Sequence, residues 1–113
     1  MKKILIASIV AFFSVLSTFA IPTGLYKYVD RSGRIVKQVL VDNSGKTLYV
    51  LKNDGTVLAE WSVTEETREE DGTYFVLRSK YGGVMKRNGW WRENGKVYMN
   101  LENWGVTLVR EED

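Results

Sequence analysis

Six times along this chain a short polar residue is followed by glycine: Ser32-Gly33, Ser44-Gly45, Asp54-Gly55, Asp71-Gly72, Asn88-Gly89 and Asn94-Gly95, with Gly82-Gly83 and Gly105 between or after them. Glycine reaches positive φ without steric cost, and Asn, Asp or Ser can close a turn through its side chain, so such pairs mark tight reversals of the chain. Between them lie short runs rich in β-branched and aromatic residues: 25–30, 34–41, 46–52, 56–64, 73–80, 84–87 leading into 90–92, 96–102 and 106–110. These read as eight strands in an up-and-down order. No run after residue 21 keeps a 3.6-residue apolar period for three turns, which makes helices a weak alternative. An open meander with one apolar face would expose its edges and its oily side. The expected fold is therefore all-β, an antiparallel meander of about eight strands closed into a small barrel, with a β-sandwich as the alternative.

Turn arithmetic assigns the faces. A two-residue turn at Asn94-Gly95 sets Glu93 opposite Lys96, Arg92 opposite Val97, Trp91 opposite Tyr98 and Trp90 opposite Met99. Alternation then sends Trp90, Val97, Met99 and Leu101 inward and leaves Trp91 and Tyr98 as a cross-strand pair outside. Around Asp54-Gly55 the same logic places Leu48, Val50, Ala59 and Trp61 on one face, continuing to Val57 and Val63. A turn at Asp42 to Gly45 adds Val39 and Val41. The expected core is thus built on Trp61, Trp90, Leu48, Val50, Val97 and Met99, with Trp104 plugging the turn into the last strand. The first strand stays open: either Leu25 and Val29 face inward with Ile35, which turns Lys27 and Lys37 to the interior, or Tyr26 and Tyr28 do so with Val36 and Leu40.

The N-terminus is of another kind. Lys2-Lys3, the apolar run 4–16 and the ending Thr18-Phe19-Ala20 read as a secretory signal peptide over residues 1–20, preceding a β-domain at 21–113. The run falls short of the ~20 apolar residues a bilayer crossing needs, and serines at 8, 14 and 17 break it. No stable membrane span is expected after cleavage, and the protein is expected to be exported, to a periplasm or to the medium. The cut alters the charge. The whole chain carries 16 basic and 14 acidic residues, a net +2, but Lys2 and Lys3 leave with the leader and the remainder is neutral. That neutrality hides segregation: residues 21–64 sum to +2, 65–72 to −4, 73–110 to +5, and 111–113 to −3.

With no His and no Cys, the chain has no disulfide, thiol nucleophile, imidazole base or Cys/His zinc site. A domain of this length buries roughly 65% of its unfolded surface, so its core must be dense. Eleven aromatics follow Ala20 to supply it. Carboxylates are the remaining acid–base groups, and Glu65, Glu66, Glu69, Glu70 and Asp71 are expected to cluster in one turn. Paired carboxyls can cleave glycosides only from rigid strands beside a sugar cleft, and the spacing fits no calcium loop. No enzyme activity, metal or cofactor is expected. The basic stretch that includes Arg78, Lys80, Lys86, Arg87, Arg92 and Lys96 is interleaved with Tyr74, Tyr81, Trp90 and Trp91. Such mixtures bind single-stranded nucleic acid, but an exported neutral protein has no such partner, and a polyanionic glycan or acidic protein surface fits the compartment better. The candidate binding residues are Trp91, Tyr98, Arg78, Lys80 and Arg92.

Two segments carry a resemblance. Lys46 to Leu58 (KTLYVLKNDGTVL) and Asn88 to Leu101 (NGWWRENGKVYMNL), about a quarter of the chain, resemble hairpins of small bacterial lipocalin-like barrels. The pattern is similar to the N-terminal barrel of the envelope-stress copper-resistance lipoprotein family. The resemblance implies a lipocalin-like barrel in a Gram-negative periplasm. Copper handling and stress signalling are not implied, because the lipobox cysteine and the Cys-x-x-Cys pair of that family are missing here. The expected function is a non-enzymatic binding module that holds a small amphipathic ligand or contacts a partner through its aromatic and basic face. The alternative is a small secreted interaction or inhibitor protein acting on another envelope or extracellular protein.

Overall fold

The computed structural model describes residues 20–111, so the leader expected at 1–20 lies almost entirely outside the described residues. Eight strands follow one another: β1 Gly24–Val29, β2 Ile35–Asp42, β3 Thr47–Leu51, β4 Val57–Glu69, β5 Gly72–Ser79, β6 Val84–Glu93, β7 Lys96–Asn100 and β8 Thr107–Glu111. Each pairs antiparallel with its neighbour, and β8 returns to β1, closing the barrel. The closure, rather than the sandwich alternative, follows from the length of the meander: with eight consecutive hairpin-linked strands, no edge is left to cover.

The interior is packed with side chains. Leu48, Val97 and Met99 have no exposed surface and Trp90 is 3% exposed. Trp61 and Val50 pack against this core from its margin. Tyr26, Val39, Val41, Phe75, Leu77 and Leu108 complete the filling. Leu48 pairs with Trp61, Trp90 with Met99 and Met99 with Leu108, so the inward rows run across strands as the alternation requires.

The first strand takes a mixed solution. Tyr26 and Tyr28 face inward, as in the second alternative, but their partners across β2 are Val39 and Lys37, while Val36 is exposed. Tyr26 donates to the Pro22 carbonyl at 2.5 Å. Lys37 reaches the rim of the interior, where its ammonium sits 4.8 Å from the centre of the Trp104 ring, a π face in place of a counter-ion. Lys27 faces outward between Gln38 and Val109. At the opposite rim Ile21 is buried against the Asn43–Gly45 turn, where a Cβ on Gly45 would lie 2.7 Å from the Ile21 carbonyl oxygen.

Three expectations need correction. Val57, assigned inward, is 58% exposed, because a bulge at Val50/Leu51 pairs it with Leu51 and turns it out. Asn88-Gly89, read as a turn, sits inside β6, and Asn88 is wholly buried. The acids at 65–71 do not share a turn: β4 runs on to Glu69, with a bulge between Val63 and Glu65, and only Glu70 and Asp71 lie beyond its end.

Candidate functional site

A groove of about 680 Å³ lies across the outer face of β5 and β6, lined in part by Tyr74, Trp91, Lys86, Arg87, Asp71 and Asn100. Its floor is made by glycine. Gly89 pairs with Tyr74 on one side and Asn100 on the other, and a Cβ there would stand 3.3 Å from two carbons of the Tyr74 ring. The ring therefore lies over bare backbone, the close approach that a glycine inside a strand permits. Gly72 completes the floor at φ +155°, where a Cβ would come within 2.8 Å of the Trp90 carbonyl oxygen. Both glycines hold side chains away from a strip bounded by Tyr74 and Trp91.

The walls are braced. Trp91 stacks on Tyr98 with centroids 5.5 Å apart and planes 13° from parallel, so one indole face is taken and its orientation is fixed. The Tyr74 hydroxyl donates to Asp71 Oδ2 at 2.7 Å, and this bond, aided by burial and the charges of Asp71 and Glu69, raises the phenol above its ordinary pKa. Tyr74 thus stays a neutral donor. The Thr107 hydroxyl donates to Asn100 Oδ1 at 2.8 Å.

The cationic end is built by a bulge. Phe75 pairs with Asn88 and Leu77 with Met85, so Lys86 and Arg87 together stand opposite the single Val76. Their backbone N–H groups, which the ladder cannot use, both donate to Glu102 Oε1, at 3.2 and 3.1 Å. Beneath them the Asn88 amide donates to the Phe75 and Met85 carbonyls at 2.9 and 2.8 Å and accepts from the Glu102 N–H at 3.0 Å. The two N–H groups of the bulge and the Phe75 and Met85 carbonyls thereby find partners. Lys86 and Arg87 are left exposed at the groove.

The sequence-derived candidates separate. Trp91 and Tyr98 come together as expected, both half-buried, although only Trp91 lines the groove. Arg92 follows Trp90 on the inner side, its guanidinium 5.3 Å from a Trp90 ring centre, in a second hollow of about 250 Å³ bounded by Arg68, Glu69 and Glu70. Arg78 is four residues along β5 from Tyr74, roughly 13 Å at the strand rise. Lys80 occupies the β5–β6 turn, 5.3 Å from the Tyr81 ring. Sequence reasoning did not assign Tyr74, Gly89 or Asn100 to the site. The signal was present in the Asn-Gly pair at 88–89, which reads as an interruption between 84–87 and 90–92, whereas β6 runs straight through it.

Among the described residues no three His, Cys, Asp or Glu side chains gather to hold a metal ion. No helix there is long and apolar enough to cross a membrane. No known protein family, curated protein or solved structure matches this chain.

Proposed function

We propose that this protein is an exported, non-enzymatic binding module whose outer groove receives a small amphipathic anion, most simply an acidic saccharide. The observation that carries the reading is the glycine-floored strip between Tyr74 and Trp91 with Lys86 and Arg87 at one end. Flat aromatic walls favour the apolar face of a sugar ring, and the two cations favour its carboxylate, sulfate or phosphate. Of the other polar groups at the strip, Asn100 supplies amide hydrogen bonds, and the Asp71 carboxylate is engaged by the Tyr74 hydroxyl. Non-enzymatic binding fits a chain without His or Cys. Leu48 and Met99, in the barrel interior, are fully enclosed by packing, which favours the outer face over the interior.

An array of acidic and neutral saccharides tests this. Acidic members should be retained by the native chain and lost by Trp91→Ala and by Arg87→Ala. Retention of none, or retention that survives both substitutions, refutes the proposal.

One observation favours the second reading, an interaction protein that engages a partner by its sheet edge. Among the described residues β1 and β8 share one register pair, Lys27–Val109, against five between β7 and β8. A hollow of about 770 Å³ lined by Leu25, Val29, Thr107 and Val109 follows this seam. A partner strand could add there by main-chain hydrogen bonds. Hydrogen exchange should then find β1 and β8 the least protected strands of the barrel. Protection equal to that of β4 and β5 removes this reading.

A further inference from the structure

In an up-and-down barrel the turns after odd-numbered strands all emerge at one end. Here that end comprises residues 29–38, 51–58, 77–88 and 101–107, which carry eight Lys or Arg against three Asp or Glu. The rest of residues 20–111 carries six against nine. The barrel is therefore polarised along its axis, +5 at one end and −3 at the other, a pattern that the linear sums along the chain do not display.

The same end holds the most exposed apolar side chains. Tyr81 at the tip of the β5–β6 turn is 87% exposed, and Leu58 and Val57 beside the β3–β4 turn are 63% and 58% exposed. Val29 and Val36 flank the β1–β2 turn and are exposed as well. β4 and β5 are neighbours, so Leu58 and Tyr81 stand on adjacent hairpins of one rim. Bulges help to produce this display: the one at Val50/Leu51 turns Val57 out, and the one at Tyr28/Val29 lies beside Val29.

From this juxtaposition we infer that the basic end of the barrel docks on an anionic lipid surface, with Leu58 and Tyr81 entering the headgroup layer and the surrounding Lys and Arg facing lipid phosphates. The apolar tips decide between partners. A soluble polyanion would need the cations alone, whereas exposed Leu and Tyr among cations match the amphipathic boundary of a bilayer. The barrel itself does not enter, because its interior is apolar and its outer rows include the exposed Lys27 and Glu60, the inverse of a bilayer-spanning barrel. The acidic end points away, and the groove on β5 and β6 stays open at the side. Lys86 and Arg87 belong to both the groove and this end, whereas Lys52, Lys80, Leu58 and Tyr81 do not line the groove.

Flotation with vesicles of phosphatidylcholine, with and without phosphatidylglycerol, tests the docking. The protein should float with the anionic vesicles and be released by high salt. Lys52→Gln and Lys80→Gln should each weaken partition by roughly fivefold. Lys46→Gln, which removes the same charge at the other end, should leave it unchanged. Leu58→Ser with Tyr81→Ser alters only exposed positions, so the far-ultraviolet spectrum should be kept while partition falls by at least roughly fivefold. The inference is overturned by any of four results: no flotation with anionic vesicles; full partition by the Leu58/Tyr81 variant; equal losses for Lys46→Gln and Lys52→Gln; or retention on heparin, or self-association abolished by the Leu58/Tyr81 substitutions, without vesicle binding.

Discussion

Replacing Asn88 with alanine removes the centre of the bulge network. The side chain has no exposed surface and makes three hydrogen bonds, two donated to the carbonyls of Phe75 and Met85 and one accepted from the Glu102 N–H. The bond to Phe75 is fully buried, while those to Met85 and Glu102 are partly so. An unsatisfied buried group costs about 1–3 kcal/mol, and one that water can reach costs much less. Taking roughly 2 kcal/mol for the Phe75 carbonyl and about 0.5–1 for each of the others gives a loss of about 3–4 kcal/mol. For a domain of this size that lowers the melting temperature by roughly 12–30 °C. Thermal and urea unfolding followed by tryptophan fluorescence measure it. Asn88→Asp sharpens the test, since it keeps the shape and the acceptor but sets an oxygen against two carbonyls. Its loss at neutral pH should be at least as large and should shrink in acid as the carboxyl takes up a proton. A change under about 0.5 kcal/mol for Asn88→Ala, within the range of ordinary surface substitutions, would refute the account of the bulge.

Gly72→Ala should cost about 2 kcal/mol in the same assay, because the left-handed φ is strained for alanine and the new Cβ meets the Trp90 carbonyl. Burial raises the Glu66 carboxyl above the usual range, opposed in part by Lys46. Its folded-state pKa is the higher one, so its contribution to stability is fully present below the unfolded pKa of about 4.3 and is lost as pH rises through the folded value. Glu66→Gln should therefore gain stability over the native chain at pH 7 and lose that advantage at pH 3, as read from melting temperatures across pH. Asp54 has the opposite sign, since bonds from the Thr56 N–H and hydroxyl hold its pKa down. Its stabilising effect is present above the unfolded pKa and disappears as pH falls through the folded one, so Asp54→Ala should weaken the barrel at pH 7 and match it at pH 2. Equal effects at both pH values would discard either claim.

The faces of the barrel were legible wherever a turn of fixed length pins the register. Asn94 and Gly95, both at positive φ, close the two-residue turn that sets Trp90 against Met99 and Trp91 against Tyr98, and these pairs could be counted outward from it. Bulges were not legible, because an extra residue flips a face without changing residue types. Val57 was misassigned for that reason. The candidate site was half legible on the same grounds. Trp91 and Tyr98 follow from alternation, whereas Lys86 and Arg87 owe their exposure to a bulge held from Glu102, a residue on the far side of another hairpin. Asn88-Gly89 misled for a chemical reason: the amide that could close a turn is used instead to replace missing ladder bonds within a strand.

The seam between β1 and β8, one register pair among the described residues, also bears on how the chain folds. The other contacts between strands arise in neighbouring hairpins and can zip one after another, but this one brings together the two ends of the described sequence and must wait until the six strands between them have formed. Until that pair forms, the growing sheet has two open edges and an uncovered apolar face. Closure is the least local of these steps, and the expected outcome is that it is the last to gain protection, as pulse-labelled hydrogen exchange would read. Substitutions near Lys27 or Val109 should therefore act mainly on how long the open sheet persists, and with it on the tendency of partly folded chains to pair with one another.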